Sequence, residues 1–243
     1  MVADEGSNTL KIVAEASGHA MDLVSPGWAG NYRTRAIAID HRRGDLWAAG
    51  VEGTQSAIHR LQLVSGRRLE TIAAPTDAGT TSFAALSVAA NALFILDTAG
   101  RRVFSLASGS QQLRVEASLP NDLELLGLAH TSTALYVSHS AGVMRIDLSS
   151  RGQRALSTPK NINASGLRSL AWDNGLLYAV QQSDGAAATV RVRLNTSGTA
   201  ITALERIEPA RSNAATLAGG LYHYLGDRTD GSGAAFRRVQ TRN

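Results

Sequence analysis

The sequence predicts an all-β fold, a five-bladed β-propeller of four-stranded antiparallel blades, and three observations predict it. A leucine followed by an aromatic recurs at Leu46-Trp47, Leu93-Phe94, Leu135-Tyr136, Leu177-Tyr178 and Leu221-Tyr222, with successive spacings of 47, 42, 42 and 44 residues. Around each pair lie short stretches with the period-two alternation of half-buried strands. No segment sustains the i, i+3, i+4, i+7 apolar spacing of a capped helix. Self-similarity at this period marks a repeat architecture.

Each repeat yields its strands in the same order. The first is a short run of small and β-branched residues: Ala36-Ile37-Ala38-Ile39, Ala84 to Val88, Leu126 to Ala129, Ser169 to Trp172, and Ala215 to Ala218. A polar or glycine turn such as Asp173-Asn174-Gly175 then leads into the strand that carries the leucine-aromatic pair, which is a hairpin signal. Third strands follow at Arg60-Leu61-Gln62-Leu63, Val103 to Leu106, Arg145 to Leu148, Arg191 to Leu194 and Phe236 to Val239. In four repeats a Ser/Gly turn precedes a fourth strand, around Leu69 to Ile72, Leu113 to Glu116, Ala155 to Ser157 and Leu204 to Ile207.

The fifth repeat ends after its third strand, and residues 9 to 14 offer the strand it lacks. The expected domain therefore covers 1–243 as one propeller, with blades over 36–75, 82–120, 124–160, 166–209 and 214–240 plus 9–16. The N-terminal strand would lie beside residues 236 to 240 in the last blade. A six-bladed ring is the alternative count. Closure follows from the cost of unpaired edge strands, which expose backbone donors and acceptors.

Composition narrows the chemistry. The chain has no cysteine, which excludes disulfides, thiolate nucleophiles and Cys-ligated zinc, and fits a reducing or an oxidising compartment equally. Periplasmic or secreted and cytoplasmic locations thus both stay open. No apolar run approaches the roughly 18 residues of a membrane span, so no membrane span is expected. The start, Met1 to Ser7, lacks the basic-then-apolar order of a signal peptide. The net charge of +4 comes from dispersed arginines, and the pairs Arg42-Arg43, Arg67-Arg68, Arg101-Arg102 and Arg237-Arg238 are not interleaved with aromatics along the chain. Nucleic acid is accordingly not an expected partner.

At Ile37-Ala38-Ile39-Asp40, Gly44-Asp45-Leu46-Trp47 and Arg60-Leu61, and again at Leu93 to Thr98 followed by Arg102-Val103-Phe104, the chain resembles NHL-repeat propellers and the related gluconolactonase-like and strictosidine-synthase-like propellers. The resemblance spans nearly the whole chain through strand-forming motifs. It implies a propeller fold and, by way of the gluconolactonase-like enzymes, a divalent cation held in the channel by Glu, Asn and Asp. Of the matching positions only Glu124 and Asn213 carry suitable oxygens, whereas Arg35 and Arg168 would repel a cation. No metal and no cofactor is therefore expected.

Ligand contacts are expected at the channel mouth, on loops after the second strands. Asp97, His139 and Gln181 stand three residues past their aromatics, and Asp227 lies nearby. Asp97, His139 and Glu124 are the candidates for catalytic work, with Ser138-His139-Ser140 inviting a hydrolase reading; the alternative is that such residues satisfy local turns. The longest connection, Ser17 to Arg35, holds Trp28 and Tyr32, which would form either a recognition lid or a plug. Arg35 and Arg168 begin first strands and would attract an anion unless Glu124 or backbone carbonyls pair with them. The expected function is a non-catalytic binding or scaffolding propeller for a protein segment or a small polar or anionic ligand. A gluconolactonase-like hydrolase is the alternative. Oligomeric state is not legible in the sequence.

Overall fold

The structure, a computed structural model, describes residues 2–4, 7–13, 19–183, 185–212, 215–218, 220–227 and 234–241. Strands account for nearly all of its regular structure, as the sequence predicts, and they form six antiparallel sheets in chain order. An N-terminal sheet contains β1 (Val2–Asp4), β2 (Thr9–Val13) and β3 (Ala20–Val24). Blade 1 contains β4 (Arg33–Asp40), β5 (Asp45–Glu52), β6 (Gln55–Gln62) and β7 (Arg68–Ala73). Blade 2 contains β8 (Phe83–Val88), β9 (Ala92–Asp97), β10 (Arg102–Ala107) and β11 (Arg114–Ser118).

Blade 3 contains β12 (Leu125–His130), β13 (Ala134–His139), β14 (Gly142–Asp147) and β15 (Gln153–Ala155). Blade 4 contains β16 (Leu167–Asp173), β17 (Leu176–Ser183), β18 (Ala186–Leu194) and β19 (Ile201–Ala210). Blade 5 contains β20 (Ala215–Ala218), β21 (Leu221–Asp227) and β22 (Ala234–Gln240). The five repeats thus appear as five successive sheets, four of them four-stranded. No helix among the described residues is long and apolar enough to cross a membrane.

One expectation needs correction. Residues 9 to 13 do not add a strand to the last blade: Lys11 faces Val2 on one side and Asp22 on the other. A strand has two hydrogen-bonding edges, and β1 and β3 occupy both edges of β2. The residues before the first repeat instead make a sheet of their own.

In each of blades 1 to 4 the first strand carries one extra residue where it pairs with the second. The slips fall between Thr34 and Ala36, Phe83 and Ala85, Leu125 and Gly127, and Arg168 and Ala171. A bulge bends the strand and re-aims its side chains. Arg35 is the extra residue of blade 1 and stands exposed.

The chain gathers into two compact units, Met1–Asn121 and Asp122–Asn243. In the first, Leu10 and Val24 of the N-terminal sheet pack on Leu46, Ala48 and Leu61 of blade 1. The other face of blade 1 presents Ala49, Ile58 and Ile72 to Phe83, Ile95 and Phe104 of blade 2. In the second unit, Tyr136 and Val143 of blade 3 meet Leu177, Val190 and Val192 of blade 4. Blade 4 in turn meets blade 5 through Tyr178, Val180, Tyr222 and Tyr224. Each leucine-aromatic pair therefore splits its two side chains between opposite faces, which is why the motif recurs once per blade.

Candidate functional site

Asp97, His139, Glu124, Arg168 and Gln181, which the sequence singles out for chemistry, have local structural partners. Asp97 is fully buried at the end of β9. One of its oxygens accepts from the backbone N–H of Ser82 at 2.7 Å and of Gly100 at 3.0 Å, and the other accepts from Arg102 Nε at 3.0 Å. It ties the entry of β8 to the turn after β9, the turn role that a carboxylate performs well.

His139 is buried in blade 3, and its Nδ1 accepts from the backbone N–H of Ala141 at 3.2 Å. The proton then resides on Nε2, which is buried and meets no hydrogen-bond partner among the described residues. Burial pushes its pKa below the usual histidine range, opposed in part by Asp122. Ser138, the adjacent residue in the strand, points to the opposite face and is wholly buried, so Ser138 and His139 do not pair as nucleophile and base.

Glu124 and Arg168 form an ion pair at 3.1 Å between blades 3 and 4, with Glu124 about two-thirds exposed at 66%. For Arg168 this is one of the pairings that the sequence offers as the alternative to an anion site. Because the pair is exposed, Glu124→Gln is expected to change stability by less than about 1 kcal/mol, measured by urea denaturation. Gln181 donates from Nε2 to the carbonyls of Asn163 at 2.8 Å and Ser165 at 3.0 Å. Asp227 closes β21 opposite Ala234, and its side chain lies outside the described residues, as does Asn213.

Trp28 and Tyr32 both pack, half-buried, against blade 1. The segment Ser17 to Arg35 contains β3, and the turn after it lays both rings edge-on against His59, at centroid distances of 5.3 and 5.4 Å. Trp28 Nε1 donates to the carbonyl of Asn8, while Asn8 bonds the carbonyl of Tyr32 and the N–H of Thr34.

An opening among the described residues lies between blades 1 and 2. It has a volume of about 600 Å³ and includes Trp47, Leu69, Val88 and Leu93 in its walls, with the Ser108 to Gln111 turn alongside. Trp47, Arg60 and Glu70 form one row across β5, β6 and β7, since Trp47 faces Arg60 and Arg60 faces Glu70. Arg60 sits over the Trp47 ring at 5.7 Å. Its Nε and Nη2 bind the buried Asp45 at 2.9 Å, and its Nη1 makes only a loose 3.9 Å approach to Glu70. A second arginine, Arg43, is held by Asp40 at 2.9 Å. Buried carboxylates thus fix two guanidiniums at the groove, a pre-organised arrangement for polar recognition.

Sequence reasoning read Trp47 as a strand marker and passed over Arg60. The distances along the chain separate them by a turn, and only strand pairing joins them. The same row recurs in blade 4 as Tyr178, Arg191 and Glu205, so aligning the repeats by register would have exposed it.

Among the described residues no group of three His, Asp or Glu side chains could hold a metal ion. No protein-family model matches the chain. No curated protein matches it. Among solved structures it is similar to the Kuenenia stuttgartiensis hydrazine synthase, with a TM-score of 0.58 at 12% identity over 86% of this chain. The chain is a β-propeller. It spans 63% of that relative's length, and at this identity the likeness concerns the fold alone.

Proposed function

We propose that this propeller is a non-catalytic binding module that takes a polypeptide segment in the groove between blades 1 and 2. The observation that carries the reading is the groove itself: an opening of about 600 Å³ with a half-buried tryptophan and an Asp-anchored arginine in one wall. Tryptophan and arginine are the residues most enriched where binding energy concentrates, and the volume falls within the range of ligand sites. The NHL-like character of the repeats fits such a role, and kinship with that superfamily is part of the proposal. The hydrolase alternative would draw on Asp97, Glu124 and His139. Those groups already engage the Ser82 and Gly100 amides, Arg168 and the Ala141 amide.

A random-peptide display library panned against the isotope-labelled chain tests the reading. Enriched peptides are expected to shift the amide resonances of Arg43, Trp47, Arg60, Leu69 and the Ser108 to Gln111 turn. Enrichment of peptides whose shifts fall away from this groove, or no enrichment, would overturn it.

A further inference from the structure

The interface between blades 3 and 4 shows what the groove between blades 1 and 2 lacks. Tyr136 is the aromatic of its leucine-aromatic pair, and it stacks on Trp172 of the next blade with centroids 5.7 Å apart and planes 10° from parallel. Trp172 lies opposite Leu177, the leucine of its own blade's pair. In blade 2 the residue opposite the corresponding leucine, Leu93, is Val88. Trp47 and Val88 are therefore the register equivalents of Tyr136 and Trp172. Where one interface holds two stacked rings, the other holds one ring and a valine, and both of those side chains line the opening.

We infer that the groove accepts a planar aromatic side chain of a polypeptide partner, stacked on Trp47 in the place that Trp172 takes on Tyr136. The inference rests on the binding role proposed above and names its anchor. Stacked or tilted rings at this spacing gain beyond the area they bury; a tyrosine hydroxyl can also accept from Arg60 Nη1, and a tryptophan N–H can donate to an oxygen of the Ser108 to Gln111 turn.

Charge selects the flanking residues. Asp40, Asp45 and Glu70 face two arginines, Arg43 and Arg60, so the lining carries one more carboxylate than guanidinium. A basic residue beside the aromatic matches that excess, and an acidic one meets repulsion.

The test titrates the labelled protein with capped tripeptides Lys-Trp-Lys, Lys-Leu-Lys and Glu-Trp-Glu, following the indole N–H resonance of Trp47, assigned with Trp47→Phe. Lys-Trp-Lys is expected to saturate with a Kd on the order of 1 mM, the leucine peptide to bind roughly tenfold more weakly, and the acidic peptide to lie between them. Val88→Trp rebuilds the stacked pair from within and is expected to abolish the shift while the melting temperature holds or rises. Trp47→Leu is the second variant and should lose the preference for tryptophan over leucine. Equal affinity for the tryptophan and leucine peptides, or undiminished binding by a folded Val88→Trp protein, would overturn the inference. Free indole competing as strongly as the peptide would also overturn it, since the site would then serve a small aromatic molecule. Display-selected peptides that map to the groove but need no aromatic would sink this inference and leave the proposed function standing; peptides that map elsewhere would sink both.

Discussion

Asp97→Ala is expected to lower the stability of the protein by about 3–5 kcal/mol, the cost of breaking a buried ion pair from one side. Asp97 is fully buried, and Arg102, its partner at 3.0 Å, has only 17% of its side chain exposed. Removal of the carboxylate strands that guanidinium and also leaves the backbone N–H groups of Ser82 and Gly100 without their acceptor. Asp97→Asn keeps an oxygen for the two amides and loses the charge, so it should cost less, about 1–3 kcal/mol. Urea denaturation of both variants checks the ranking. A double-mutant cycle with Arg102→Ala should show a coupling between the two positions of at least about 1 kcal/mol. Near-wild-type stability in Asp97→Ala would return this aspartate to the pool of functional candidates, because a residue that holds nothing in place is free to do something else.

The second large effect is acid sensitivity through His59. This side chain is 1% exposed, its Nδ1 lies 3.0 Å from Thr71 Oγ1, and Trp28 and Tyr32 cover it edge-on. Burial, helped by the positive charge of Arg68, pulls its pKa down to about 4 from the usual 6.5. Below pH 6.5 the unfolded chain takes up a proton that the folded protein refuses, so stability falls as the pH drops from 6.5 to 4 and levels once the folded form also protonates. At about 1.36 kcal/mol per pKa unit, the total loss is roughly 3 kcal/mol. Carboxylates add their own dependence at the lower end of this window, so the decisive comparison is between slopes. His59→Gln should show a clearly shallower fall in melting temperature between pH 6.5 and 5 than the wild type. Parallel slopes would mean that the imidazole is wet enough to protonate in place.

These two residues also show where sequence reasoning works and where it stops. The repeat was legible because the leucine-aromatic pair must place one side chain on each face of the second strand, and that demand recurs with every blade. Asp97 was legible as a polar residue at a strand end, but whether such a carboxylate meets substrate or backbone amides depends on which turn folds over it. His59 lies in no motif, and Arg60 entered only as part of a strand motif, so neither drew functional attention. Their significance comes from contacts of His59 with Trp28 and Tyr32 and of Arg60 with Trp47 and Asp45, which lie from 13 to 31 residues away along the chain.

What the sequence by itself determined is the all-β architecture, the number of repeats and the strand order within each, since these depend on local alternation, turn residues and a recurring pair. The tertiary structure alone decided the pairing of the N-terminal strand. A free strand edge can be satisfied by any strand that reaches it, and β1 and β3, close in sequence, occupy both edges of β2 at a small cost in loop entropy. It alone also decided which aromatic stays accessible. Trp47 and Tyr136 look alike as motif residues, and the difference between an open groove and a closed stack lies in the facing blade, where one has Val88 and the other Trp172.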